Sequence, residues 1–336
     1  MTAPRSEPSL IQAWDRPATD PARRTVFMFS GQGSQYFQMG RELFDKNDTF
    51  RQWMTHLDAV AGRSSGKSVV ETLYGTGRKS DVFDRTLLTH PAIFMVEYSL
   101  AQSLMHTGIT PDIVLGASLG SFAAAAVAGF IGVEDALNAV IQQAAFLESC
   151  CEPGGMLAVL ADPVLLTEKF LSENSELAGI NFSSHFVISA RQPGLAGIEA
   201  ELRKRAITHQ RLPVSFAFHS RWIDQAQAPF APFMPPTRSA QGRLPLVCCE
   251  QAAVLTDLSN DYFWRVVRHP IRFRETMAQL ERYGVHRYVD VGPAGTLATF
   301  LKYGLPTTSK STVHAILTPY GQDQKNLAAL VASTRH

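Results

Sequence analysis

Between residues 111 and 129 the chain reads PDIVL, then Gly116-Ala117-Ser118-Leu119-Gly120, then an alanine-rich run ending at Gly129. An unbroken apolar run, two glycines four residues apart and a small-residue segment predict a buried strand over 111–115, a sharp turn over 116–120 and a helix over 121–129. The turn matches G-x-S-x-G, a nucleophile elbow, in which glycines permit a strained strand-to-helix connection that lifts a serine hydroxyl above a sheet. The helix N-terminus that follows favours negative charge beside that hydroxyl. The plainer alternative is a turn serine that serves only as a helix cap.

The rest of the chain alternates in a compatible way. Residues 1–24 carry Pro, Ser and charge without an apolar secretion segment, and are expected to form a mobile leader of a cytoplasmic protein. The run over 25–29 reads as a buried strand delivering the loop Gly31-Gln32-Gly33-Ser34. The polar stretch over 45–79 reads as helices and surface loop. Apolar residues Ile93, Val96, Leu100 and Leu104 then follow helical spacing to about Gly108. A further helix is expected over 133–148, with Glu134 and Asp135 in its first turn. Short strand-like runs, MLAVLA and HFVISA, mark an inserted α+β subdomain over 152–214. The large α/β subdomain takes 25–151 and 215–320. Within it come a Pro-rich connection over 229–236, a helix over 276–283 and a last apolar strand over 287–292, and 321–336 is left as a C-terminal tail.

A serine hydroxyl at its ordinary pKa is a weak nucleophile and needs a base within hydrogen-bond reach. His219 is the first candidate among ten histidines, because it ends the apolar run VSFAF and would emerge at a strand end. His90 and His269, each followed by proline, are next, as site-lining or structural residues. The Gly31 to Gln35 loop has no Lys and lacks phosphate-loop spacing. It can instead aim a backbone N–H at a developing oxyanion, together with the N–H of Leu119, or be simply a tight turn. The four cysteines form two adjacent pairs, Cys150-Cys151 and Cys248-Cys249, without C-x-x-C spacing, so no metal site or disulfide is expected. A formal charge of +1, from 31 basic and 30 acidic residues, predicts no nucleic-acid partner. No apolar run reaches the roughly 18 residues of a membrane span.

Taken together, the motifs resemble one family: the malonyl-CoA:acyl-carrier-protein transacylases and the acyltransferase domains of polyketide and fatty-acid synthases. The landmarks are FMFSGQGSQYFQMG (27–40), LLTHPAIF (87–94), GASLG (116–120), GGMLAVL (154–160), Asn181 with VIS (187–189), FAFHS (216–220), RHPIRF (268–273) and VDVGPAGTL (289–297), in family order. The resemblance implies an α/β fold: a large hydrolase-like subdomain with a parallel-sheet core and a small inserted ferredoxin-like α+β subdomain. It implies ping-pong chemistry through an acyl ester on Ser118, with His219 as general base and acid. A backbone carbonyl near Val266 would hold the imidazole, and the N–H groups of Gln32 and Leu119 would form the oxyanion hole. Asn181 matches a site-lining residue. No cofactor is implied beyond the phosphopantetheine arm that substrates carry from an acyl carrier protein or from CoA. A monomer is expected.

The chain departs from the family around the acyl group. Malonyl-specific members carry an arginine after the elbow that pairs with the malonyl carboxylate, and Gln143 stands at that position. Loss of a charged hydrogen-bond partner is worth about 1.5–3 kcal/mol. From Thr86 to Glu168 there is no Lys or Arg, and eight acidic residues give that stretch a formal charge of −8. Ala117 replaces the family's histidine before the nucleophile, Ser121 its glutamate, and His90 the glutamine of its glutamine-proline pair. With Phe218, these positions are expected to shape an acyl pocket for uncharged groups. The altered pattern resembles the discrete acyl hydrolases that accompany polyketide synthases lacking built-in acyltransferases. A transferase moving acetyl, malonyl or another acyl unit from CoA to a carrier protein uses the same residues. A non-catalytic carrier-binding homologue is a third class. Arg191, Arg203, Lys204, Arg268 and Arg272 are candidates for a carrier-facing basic rim, or are solvated surface charges.

Overall fold

The computed structural model describes residues 23–235 and 242–334; most of the leader, residues 236–241 of the Pro-rich connection and the last two residues lie outside them. Strand β1, Arg24–Phe29, explains its own apolar run: Val26 and Met28 enter one core, Phe27 and Phe29 another. Two buried faces are what a parallel strand covered by helices on both sides requires. Helix α1, Asp48–Ser65, and the almost wholly buried α2, Thr86–His106, lead to β2, Ile113–Gly116, which pairs parallel to β1. Helices α3, Gly120–Ala128, and α4, Val133–Cys150, follow.

The chain then builds a separate four-stranded antiparallel sheet from β3, Gly154–Val159; β4, Glu176–Phe182; β5, His185–Arg191; and β6, His209–Arg211, in the order β4-β5-β3-β6. Helix α5, Gln192–Lys204, joins β5 to β6. This β-α-β-β-α-β unit is ferredoxin-like. Alternation along its strands divides its two faces: Leu157, Val159, Phe186 and Ile188 form its own core with α5, whereas Met156, Ala158 and Val187 face the large subdomain.

The large sheet resumes with β7, Leu246–Cys248, and the antiparallel β8, Ala253–Leu255. Helices α6, Tyr262–Arg268, and α7, Phe273–Arg282, precede β9, His286–Asp290. After α8, Thr296–Gly304, comes β10, Thr312–Ala315, so the order is β10-β9-β1-β2-β7-β8. Three expectations change. The last strand is β10, a half-buried edge strand of sequence TVHA whose apolar signal is too weak to read. The expected tail contains helix α9, Asp323–Ser333, with Leu327 and Leu330 buried in the main core. VSFAF is no strand: residues 212–219 form turns, buried because the two subdomains close over them.

Candidate active site

Ser30, Ser118 and Gly292 follow the carboxyl ends of β1, β2 and β9, the edge at which open α/β sheets bind ligands. The elbow is tight by necessity. A Cβ on Gly120 would lie 2.3 Å from the Phe29 carbonyl oxygen, so only glycine lets α3 start against the end of β1. Ser118 is left at φ 55°, a left-handed conformation uncommon for a residue with a side chain. Its Oγ lies 2.8 Å from Nε2 of His219.

His219 is also left-handed, at φ 60°, and 2% exposed. Its backbone N–H donates to the Val267 carbonyl at 2.9 Å, and Ser189 Oγ from β5 donates to the preceding Phe218 carbonyl. The ring's Nδ1 lies 2.7 Å from the His269 carbonyl oxygen. That carbonyl can only accept, so Nδ1 carries the proton and Nε2 turns a lone pair toward Ser118. The orienting carbonyl is therefore that of His269, not one near Val266. The cause is local: Pro270 disfavours helical geometry before it, α6 stops at Arg268, and His269 is extended at φ −95°, ψ 157°. The released segment runs along β4, with Ile271 N–H donating to Ala178 O at 2.8 Å and Ile180 N–H to Ile271 O at 3.1 Å. Burial pushes the His219 imidazole down to about 4.

Gly31 carries the opposite wall, and a Cβ on it would lie 2.8 Å from the Cβ of Ser118. Among the described residues the backbone N–H groups of Gln32 and Leu119 have no protein partner. They flank the nucleophile, where an oxyanion hole needs unspent donors. The Gln32 side chain is fixed from α2: its Nε2 donates to Thr89 Oγ1 at 3.1 Å, leaving its Oε1 to accept from His90 Nε2 at 2.9 Å. His90 is fully enclosed, and burial holds it down at about 3, so it is neutral and serves here as a donor.

These groups open on a cavity of about 250 Å³, lined by Gln32, His90, Ala117, Ser118, Leu119, Asn181, Phe218 and His219 and by the small sheet's Met156, Ala158, Ala178 and Val187. Asn181 Nδ2 donates to Nδ1 of His185, another lining histidine that burial shifts downward. No Lys, Arg, Asp or Glu lines the cavity among the described residues.

Gln143 is corrected: it does not line this cavity. It is fully buried on α4, and its Nε2 donates to the Phe263 carbonyl of α6 at 3.2 Å. None of the acidic side chains of the stretch over 86–168 lines the cavity. Glu134 pairs with His56, Glu148 with Arg85, Glu152 with Arg191 and Glu168 with Arg205 at the surface, and Glu97 lies beneath the Gly31 loop. The five candidate rim cations all have internal carboxylate partners: Arg191 with Glu152, Arg203 with Glu199, Lys204 with Glu201, Arg268 with Asp224 and Arg272 with Glu275. Arg268 and Arg272 flank the His269 segment, whereas Arg203 and Lys204 end α5 on the far face of the small sheet. The sequence reading missed Ser30, Ser34, Glu97 and the His269 carbonyl. Only Glu97, a lone acid in the apolar run IFMVEYSL, offered a signal.

No helix among the described residues is long and apolar enough to cross a membrane, and none of their His, Cys, Asp and Glu side chains gather into a metal-binding group. Residues 26–335 match the family described as acyl transferase domain. Over 304 residues the chain is 48% identical to the polyketide biosynthesis acyltransferase homolog BaeD of Bacillus velezensis, covering 90% of this chain and 94% of that protein. It is 46% identical, with the same coverage, to the homolog PksD of Bacillus subtilis. Among solved structures, a loading acyltransferase from the avermectin modular polyketide synthase superposes with a TM-score of 0.83 at 25% identity, covering 93% of this chain and 100% of that one.

Proposed function

The chain belongs to the acyltransferase family, and on that premise we propose that it is a serine-dependent acyl hydrolase clearing short, uncharged acyl groups such as acetyl from acyl carrier protein thioesters in polyketide biosynthesis. The observation that carries this reading is the Ser118–His219 pair opening on a cavity that, among the described residues, has no Lys, Arg, Asp or Glu in its lining. An ionised malonyl carboxylate would enter it without a counter-charge, at a cost of several kcal/mol.

His219 Nε2 takes the hydroxyl proton as Ser118 Oγ attacks the thioester carbonyl. The N–H groups of Gln32 and Leu119 hold the oxyanion. Collapse breaks the C–S bond, the pantetheine thiolate leaves with the proton from His219, and the acyl group remains on Ser118. In the second half, water gives a proton to His219 and its oxygen to the acyl carbon. Collapse then returns the proton to Ser118 and frees the carboxylic acid. No resident cofactor enters any step.

The second reading is acyl transfer from CoA to a carrier protein, favoured by the family description and by the names of both relatives. It takes the acyl group from CoA in place of a carrier protein in the first half, and in the second half the acceptor is a carrier thiol in place of water. Acetyl-loaded carrier protein incubated with the enzyme and an excess of unloaded second carrier separates the two. Hydrolysis gives free acetate and free thiol over many turnovers, lost in Ser118→Ala. Acetyl appearing on the second carrier with no acetate would refute it.

A further inference from the structure

Beneath the Gly31–Gln32 turn lies a polar chain that the acyl-transfer steps do not use. Ser34 Oγ donates to the Gly31 carbonyl at 2.9 Å. Glu97 Oε1 accepts the Ser30 backbone N–H at 2.7 Å, and the single Ser30 hydroxyl proton is shared between Glu97 Oε1 at 3.0 Å and Ser34 Oγ at 3.1 Å, serving one of them at a time. Ser30, Ser34 and Glu97 are all buried, and no cation accompanies the carboxyl among these contacts. Oε2 of Glu97 has no partner among the described residues. A carboxyl in such a place costs free energy that a leucine would not.

The Gly31 carbonyl and the Gln32 N–H belong to one planar trans peptide, so the hydrogen bond that holds the carbonyl also fixes the direction of the N–H. A bond accepted by the carbonyl further polarises the N–H on the other side. Helix α2 thus grips the loop twice. Thr89 and His90 hold the Gln32 side chain, and Glu97, two turns further on, holds Ser30.

We propose that Glu97, Ser30 and Ser34 form a positioning relay that aims the backbone N–H of Gln32 at the oxyanion formed by attack of Ser118. The relay rests on the reading of Ser118 as nucleophile. Burial raises the Glu97 carboxyl well above its ordinary range, with the Ser30 bonds opposing that rise and the charge of Asp290 adding to it. Its amide analogue keeps the acceptor at Oε1.

The test uses two inhibitors built on the acetyl-pantetheine frame. A trifluoromethyl ketone adds Ser118 Oγ and places an oxyanion in the hole, whereas a thioether occupies the site without one. Ser34→Ala should weaken the ketone about tenfold and slow Ser118 acylation by a similar factor, a fraction of the 10²–10³ lost when an oxyanion donor is removed outright. Thioether affinity and KM should stay within about twofold. Glu97→Leu should behave like Ser34→Ala, and Glu97→Gln should recover most of the loss. Equal weakening of both inhibitors, or of neither, in Ser34→Ala would overturn the relay. So would a Glu97→Gln protein no better than Glu97→Leu, which would assign Glu97 to packing. A wild-type protein that forms no ketone adduct would remove the nucleophile reading itself, an outcome distinct from a normal adduct insensitive to Ser34.

Discussion

The acid limb of the activity should lie far below that of an ordinary histidine enzyme. His219 must be neutral to accept the Ser118 proton, and burial lowers its pKa from 6.5 to about 4, with the charges of His269 and Arg268 adding to the effect and the His269 carbonyl opposing it. At pH 5.5 an unperturbed histidine would be only about 10% neutral, whereas one at about 4 is about 97% neutral. Thus kcat/KM for acetyl-pantetheine measured at pH 5.5 should stay within about 10% of its value at pH 8, instead of falling about tenfold. Unfolding must be separated from titration, and the signs can be worked out. His219 and His90 have depressed folded-state values, so the unfolded chain binds more protons and their stabilising contribution is lost as pH falls from about 6.5. Asp290 is raised by burial to about 6, so its contribution is present below about 4 and lost as pH rises through about 6. The slopes oppose each other between about 4 and 6, at up to about 1.4 kcal/mol per pH unit for each group. Circular dichroism across the same range should therefore show a folded protein at pH 5.5. A kcat/KM limb centred near 6.5 in folded protein would refute the buried, neutral His219.

Other outcomes follow from named contacts. Gly31→Ala places a Cβ against Ser118 and should lower the acylation rate about a hundredfold through displacement of the Gln32 N–H, read by rapid-quench mass spectrometry. Ala158→Leu fills cavity volume beside the acyl site, and should reduce hexanoyl turnover by about tenfold more than acetyl turnover; equal losses would place the acyl chain elsewhere. Gln143→Leu removes an amide that spends one hydrogen bond on Phe263, and should change stability by no more than about 1.5 kcal/mol in thermal melts. The same variant should keep the wild-type ratio of acetyl to malonyl turnover, and a shifted ratio would return Gln143 to the pocket.

What could be read from the sequence was local chemistry. The elbow is visible because a strand, two glycines and a small-residue helix are contiguous, and the Gln32 loop because it ends an apolar run. His219 was found for a partly mistaken reason. It does not end a strand, and is held by Val267 and His269 on one side and, through Phe218, by Ser189 on the other. Those contacts join segments separated by up to fifty residues, and no periodicity encodes them. The carbonyl was misplaced for a more local reason. An alignment of motif to motif points to helix α6, whereas Pro270 and the edge of β4 decide where the chain goes after it.

Charge illustrates the same limit from another side. A formal −8 over 86–168, with no Lys or Arg, marked the acyl pocket as cation-poor, yet acids count by sequence only until folding assigns them places. Four of the eight went to surface pairs, where exposed bridges are worth about 0–1 kcal/mol and are screened by salt. Glu97 went inward, where burial raises its carboxyl well above its ordinary range. Among the described residues the cavity is left without Lys, Arg, Asp or Glu, lined by amides, apolar side chains and histidines whose pKa values burial lowers. On the proposed reading, acyl selection rests on the desolvation of an incoming carboxylate. The discrimination against malonyl should persist at high salt, since burial and not surface potential produces it. Measured at 50 mM and 1 M salt, the acetyl-to-malonyl ratio should agree within about twofold, and a ratio that collapses with salt would locate selection on the surface instead.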